Sequence, residues 1–187
     1  ITDGSSNTAI GTQSLAVNIN GSNNTAIGSY ALNGGTGSAS DNTAVGFYAG
    51  GLVRAGGANT YLGSMAGYTG TTGTNNLMIG YYAGKYETAG NKIILDTLDR
   101  ATEARGRNEA LIYGVTNATP ASQILSLGGG GNVGIGTTNP ASKLEVWKTT
   151  GSHNTLFNVS STTAGDLVTV LNNGNVGIGT TAPQANF

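Results

Sequence analysis

The chain has 187 residues, a formal net charge of −1, only 9% charged residues and no cysteine. Disulfides and thiolate metal sites are therefore excluded, and no basic patch marks a nucleic-acid partner. Glycine fills 32 positions, against a usual share of about 7%, but without a three-residue period, so the chain is not collagen.

From the first residues onward one phrase returns: Asn7-Thr8-Ala9-Ile10-Gly11, Asn24-Thr25-Ala26-Ile27-Gly28 and Asn42-Thr43-Ala44-Val45-Gly46. Two looser copies follow, Asn59-Thr60-Tyr61-Leu62-Gly63 and Asn76-Leu77-Met78-Ile79-Gly80, and the leading asparagines stand 17, 18, 17 and 17 residues apart. So short a unit cannot bury an apolar face alone and must stack on its neighbours. Internal glycines and the lack of a 3.6-residue period exclude a helical repeat, leaving short strands and glycine turns. Stacked coils of a β-solenoid lie about 4.8 Å apart. Equivalent residues then lie above one another, and Asn7, Asn24, Asn42, Asn59 and Asn76 form a hydrogen-bonded side-chain ladder. One aliphatic and a few alanines per unit make a thin core, so further apolar burial is expected from other copies, in a homotrimer.

The repeated phrase resembles the head repeats of trimeric autotransporter adhesins, and still more the repeats of bacteriophage tail fibres and related bacterial surface fibres. The resemblance covers residues 7 to about 84 and implies a trimeric parallel β-roll. The period is longer than that of the adhesin heads, which implies larger loops.

Ten of the 17 charged residues fall between Lys85 and Glu109. Asn91-Lys92-Ile93-Ile94-Leu95 reads as a decayed sixth repeat. The pattern predicts a strand over Ile93–Leu98, a polar loop over Glu103–Asn108 and a strand over Ala110–Gly114. A short helix over Asp96–Ala104 is the alternative. The charges read as a solvated loop with ion pairs between subunits, or as a carbohydrate contact.

A second unit then repeats at a spacing of 43: Gly131-Asn132-Val133-Gly134-Ile135-Gly136-Thr137-Thr138-Asn139-Pro140 returns as Gly174-Asn175-Val176-Gly177-Ile178-Gly179-Thr180-Thr181-Ala182-Pro183. Strands are predicted at Gln123–Leu127, Lys143–Trp147 and Leu167–Leu171, with a hairpin-type turn at Asn172-Asn173-Gly174. This phrase is similar to one common in phage tail fibres and large bacterial surface proteins. There it often precedes a self-cleaving chaperone domain that drives trimer folding. The start at Ile1 on a polar stretch reads as an excised segment, and the end at Phe187 as truncation or processing.

Candidate chemistry is sparse. The Gly134-x-Gly136 pair lacks the third glycine and the following helix of a dinucleotide site, and Pro140 stands where that helix would run. His153 is the sole histidine and reads as an exposed loop residue. The nine acids, Asp3, Asp41, Glu87, Asp96, Asp99, Glu103, Glu109, Glu145 and Asp166, form no recurrent pair for glycoside cleavage. No catalytic residue, metal site or cofactor is assigned. Tyr30, Tyr48 and Tyr82 share one repeat position, with Phe47 and Tyr81 beside it. They read as glycan-stacking or interface aromatics, with packing between subunits preferred. The sequons at Asn20, Asn23, Asn117 and Asn158 bear only on a glycosylating host.

The expectation is an all-β, fibrous trimeric β-roll or β-solenoid. A roll over residues 1–90 is followed by a strand-loop-strand junction over 91–127 and second-type fibre repeats over 128–187. The function expected is a non-enzymatic structural and adhesive shaft of a phage tail fibre, on the virion and outside the cell. Its partners would be its own copies and a host surface polysaccharide or other receptor, with no nucleic acid and no membrane insertion. A bacterial surface adhesin or self-assembling extracellular filament is the alternative. An ice-binding solenoid fits less well because the threonine column stops at Leu77, and a polysaccharide-degrading tailspike comes last.

Overall fold

The computed structural model describes residues 4–34, 38–70, 72–128, 131–147, 155–161, 165–171, 173–180 and 182–184. The readings placed on Asp3, Thr181, His153, Asn172 and Phe187 lie outside these residues. Two compact units are present, Ile1–Gly131 and Asn132–Phe187.

The first unit is a β-solenoid. Strands β1 (Thr8–Ile10), β2 (Thr25–Ile27), β3 (Thr43–Val45), β4 (Thr60–Leu62), β5 (Leu77–Ile79) and β6 (Lys92–Leu95) pair in parallel and in that order. The register is the one the sequence repeat dictates, Thr8↔Thr25↔Thr43↔Thr60↔Leu77↔Ile93. The coils are joined well beyond the strands. Leu15 N–H donates to Ala31 O at 3.0 Å, Leu32 to Ala49 at 3.0 Å, Gly50 to Ala66 at 2.8 Å and Gly67 to Ala83 at 2.9 Å. The main chain of each three-residue strand is thus only part of a hydrogen-bonded wall running around the coil.

Alternation within the strand decides what is inside. Ala26, Ala44, Tyr61, Met78 and Ile94 form one column, facing inward and buried. The aliphatic position of the repeat lies on the opposite, outer face: Ile10 is 58% exposed, Ile27 36% and Leu62 45%. The chain's own core is therefore built from the central residue of each strand, not from the repeating aliphatic. A second inward column follows, Leu15, Leu32, Gly50, Gly67 and Gly84, all at φ between 48° and 59°. The two columns compensate in size. Leu32 shares a coil with Ala26 and reaches toward Gly50, where a Cβ would stand 2.8 Å from both Leu32 Cδ2 and the Tyr61 ring, and glycine likewise stands where the strand offers Tyr61 or Met78. A Cβ on Gly67 would overlap the Tyr61 ring, and one on Gly84 the Met78 sulfur.

The glycine ending each repeat phrase has a different task. Gly11, Gly28, Gly46, Gly63 and Gly80 adopt φ of 117° to 136°. A Cβ on Gly46 would stand 2.6 Å from the Gly63 carbonyl carbon, so both dihedral and space require glycine at this corner.

The solenoid ends in antiparallel strands. β7 (Ile112–Val115) pairs with β6, and β8 (Ile124–Leu127) with β7, extending the sheet to eight strands. Between β6 and β7 the polar stretch read as a loop over Glu103–Asn108 is instead helix α1 (Glu103–Glu109). Thr102 caps it by accepting from Arg105 N–H, and Glu103–Arg107 and Arg105–Glu109 pair along it at i,i+4. A seven-residue helix is too short to persist alone. Ion pairs to the last coil hold this one. The eight-stranded sheet also runs without interruption through position 90.

The second unit contains β9 (Val133–Ile135) paired in parallel with β10 (Leu144–Val146). It also contains an antiparallel sheet of β11 (Thr155–Ser161), β12 (Gly165–Leu171) and β13 (Val176–Ile178). The two copies of the second phrase close the same way. Asn132 Nδ2 donates to Pro140 O at 2.8 Å, and Asn175 Nδ2 to Pro183 O at 2.8 Å.

Candidate functional surface

The five ladder asparagines are brought together in one column. Asn24, Asn42, Asn59 and Asn76 are buried, and Asn7 is half-buried at the first coil. Each Oδ1 accepts from the main-chain N–H of the next asparagine: 2.9 Å for Asn24 on Asn7, 3.0 Å for Asn42 on Asn24, 3.1 Å for Asn59 on Asn42 and 2.9 Å for Asn76 on Asn59. The side-chain amides add Nδ2 to Oδ1 bonds of 3.1, 3.1 and 3.0 Å between the first four. Each Nδ2 also donates to a loop carbonyl: Asn7 to Gly21, Asn24 to Ala39, Asn42 to Gly56, Asn59 to Gly73 and Asn76 to Ala89. With donors and acceptors taken up in this way, the column is a structural spine and offers no free group to a ligand.

The sixth position corrects the reading of Asn91 as the leading residue of a repeat. Lys92 stands in the ladder column and closes it through its main-chain N–H, 2.9 Å from Asn76 Oδ1. Asn91 belongs one place earlier, in a left-handed column with Ser6, Asn23, Asp41, Ala58 and Asn75 at φ of 56° to 61°. The side-chain ladder ends at Asn76 because the backbone suffices to receive it.

The aromatic residues fall into two clusters. Tyr30 and Tyr48 stack at 4.6 Å with planes 9° apart, Phe47 meets Tyr48 edge-on at 4.6 Å, and Tyr68 meets Tyr48 edge-on at 5.6 Å. In this stack Tyr30 and Tyr48 cover one face of each other. Met65 takes the same repeat position in the next coil and separates the first cluster from Tyr81 and Tyr82, whose rings lie 4.1 Å apart. Phe47 and Tyr81 are the exposed members, at 47% and 52%. Lys85 Nζ lies 4.2 Å over the Tyr82 ring and bonds Asp99 at 2.8 Å. A hydrogen bond to Tyr82, reinforced by the charge of Asp99, holds the Tyr81 phenol above its ordinary range. Tyr68 and Lys85 could not be singled out from the repeat, because their shared position holds alanine, asparagine and glycine in earlier coils.

The charged segment forms the end of the solenoid. Glu87 is only 2% exposed; Arg107 Nε and Nη2 reach it from α1 at 2.8 and 2.6 Å, and Ala89 N–H donates to it at 2.9 Å. Arg107 also pairs with Glu103. Arg100 holds Asp96 through two bonds of 2.5 and 2.9 Å and lies 3.6 Å from Glu109. Burial pushes the Glu87 carboxyl up, but the Arg107 guanidinium and the Ala89 N–H more than reverse this, and it titrates below the ordinary carboxylate range. These pairs all form within one chain.

Comparison with known proteins finds no matching family model, no matching curated protein and no matching solved structure. Among the described residues no group of three or more His, Asp or Glu side chains converges as a metal site would require, and no helix is long and apolar enough to cross a membrane.

Proposed function

We propose that this chain is a non-enzymatic structural and adhesive shaft of a homotrimeric extracellular fibre, a phage tail fibre that presents or forms a host-recognition surface. The observation that carries the proposal is the asparagine spine: five coils locked in register by buried amides, in a chain whose most repeated residues hold it together rather than facing a ligand. A rod of this kind transmits position and load along its axis. Recognition then falls to exposed side chains between the coils, Phe47 and Tyr81 among them, with a host surface polysaccharide as the class of receptor.

The test is to weigh the purified chain by light scattering and to incubate it with a panel of purified bacterial capsular polysaccharides. A three-chain mass, with retention of one or more polysaccharides and no release of oligosaccharide, is the expected result. Released sugar would overturn the non-enzymatic reading, a monomer mass the trimeric one, and no retention by any member the adhesive one.

A further inference from the structure

The outer face of the eight-stranded sheet has a feature that one coil alone would not reveal. The register carries the aliphatic position through every strand: Ile10↔Ile27↔Val45↔Leu62↔Ile79↔Leu95↔Ile112↔Leu127. The column persists across the change from parallel to antiparallel pairing, where the repeat phrase itself has ended. No member is buried, and Leu127 at the far end is 48% exposed. Beside it runs a graded column, Thr8, Thr25, Thr43 and Thr60, then Leu77, Ile93, Gly114 and Leu125. Neither column contains a charge.

Eight strands at ~4.8 Å make this face about 34 Å long. The two columns expose on the order of 800 Å², about what one partner contributes to an interface of standard size. Scattered apolar residues on a surface are ordinary, but a continuous uncharged face of this extent marks an interaction site.

Three observations identify the occupant as the chain itself. Another copy presents ridges at the same strand spacing, so it stays in step over the whole length, which a surface of unrelated period would not. The graded column sets polarity: with copies parallel and in register, threonine levels meet threonine levels and leucine meets leucine. An antiparallel two-fold pair would set Thr8 against Leu125. Finally, Gly114 leaves a notch in the graded column, lined by Ile93, Val115, Gln123, Ile124 and Leu125, which can receive a side chain from a neighbouring copy.

We infer that this outer face is the surface on which identical chains associate, parallel and in register, so that each strand level gathers the same residue from every copy. The inference rests on the self-association proposed above and assigns it to a surface and an orientation.

The absence of cysteine makes the test direct. Ile27→Cys, Leu62→Cys and Leu127→Cys are oxidised separately, with Arg54→Cys, exposed and outside both columns, as control. Chain-to-chain disulfides at all three face positions and none at Arg54→Cys are expected. Disulfides at Leu62→Cys alone, near the middle of the column, would overturn the parallel orientation. A multi-chain mass by light scattering without disulfides at any face position would overturn the assignment of the face while leaving self-association intact. A monomer mass would remove both. Leu62→Lys supplies an independent arm: its side chain points away from the core, so an unchanged far-UV circular dichroism spectrum with a fall to monomer mass is expected, and an unchanged mass overturns the inference.

Discussion

Truncating Asn42 to alanine removes the middle of the spine and allows its contribution to be worked out bond by bond. The side chain donates to Asn24 Oδ1, Gly56 O and Ser40 O, each at 3.1 Å, and accepts from Asn59 N–H at 3.1 Å and Asn59 Nδ2 at 3.0 Å; Ser40 O also receives Ala58 N–H. Some of these partners keep another bond: Asn24 Oδ1 still receives Asn42 N–H, and Asn59 Nδ2 still reaches Gly73 O. The Asn59 N–H and the Gly56 carbonyl lose theirs in a buried environment. At about 1–3 kcal/mol for each orphaned group, Asn42→Ala should cost about 2–6 kcal/mol, much of the total stability of an ordinary domain. Asn7→Ala provides the internal comparison. Asn7 is half-buried, and Gly21 O also accepts from Asn18 Nδ2, so only the Asn24 N–H is stranded and the cost should be about 1–2 kcal/mol. Urea titrations followed by far-UV circular dichroism, at one fixed protein concentration, measure both. Equal losses for the two variants, or less than about 1 kcal/mol for Asn42→Ala, would refute the claim that the column stabilises the solenoid through saturated buried amides.

The core predicts a compensation: Gly67→Leu alone should severely destabilise the solenoid, whereas Tyr61→Ala with Gly67→Leu recreates the Ala26–Leu32 arrangement and should recover most of that loss in the same titration. Gly46→Ala should lower stability by more than about 1 kcal/mol, the reverse of the gain such a change brings at a compatible site, because strained dihedral and steric overlap act together; a neutral result in thermal melts would contradict this. Arg107→Ala leaves the buried Glu87 carboxylate without its cation and should cost about 3–5 kcal/mol, while Glu87→Gln with Arg107→Met should cost clearly less. The end of the solenoid should also be acid-labile. Glu87, Asp99 and Glu109 titrate below their ordinary range, so their stabilisation is full above the unfolded carboxylate range near ~4 and is lost as pH falls through their folded values. Hydrogen exchange of α1 against pH should show protection falling on that side, and a loss on raising pH from 5 to 8 would have the wrong sign.

Much of the solenoid was legible because a 17–18-residue period fixes register almost by itself: once coils stack, Asn must lie on Asn and Thr on Thr. What the sequence could not decide was which way a three-residue strand faces. Thr-Ala-Ile offers either alanine or isoleucine to the interior; the coil takes alanine, at the position where later strands place Tyr61, Met78 and Ile94. The compensation between Tyr61 and Gly67 was hidden for a related reason, since it joins positions six residues apart that touch only after the chain has turned a corner. Helix α1 was missed because Glu103–Glu109 has no apolar stripe and carries Gly106; its support comes from Thr102, from its own ion pairs and from Glu87, 20 residues away from Arg107. The one-residue displacement at Asn91 has the plainest cause. The last interval shortens, so an asparagine stands before the ladder column and a lysine within it.

The spine also has a direction, since every Oδ1 in it faces the coil that follows. A coil therefore has a distinct upper and lower surface, and whole repeats can be gained or lost by recombination between similar coding segments without leaving a ladder amide unmatched. Each such event would change the solenoid's length by a step of about 4.8 Å. The core restricts where it can occur. Coils carrying Ala26 or Ala44 are near-equivalents, whereas those carrying Tyr61 and Met78 are fitted to their own glycines and neighbours. Length variation among relatives of this chain should accordingly fall toward the first three coils, with the fourth and fifth retained beside the helix that closes the stack.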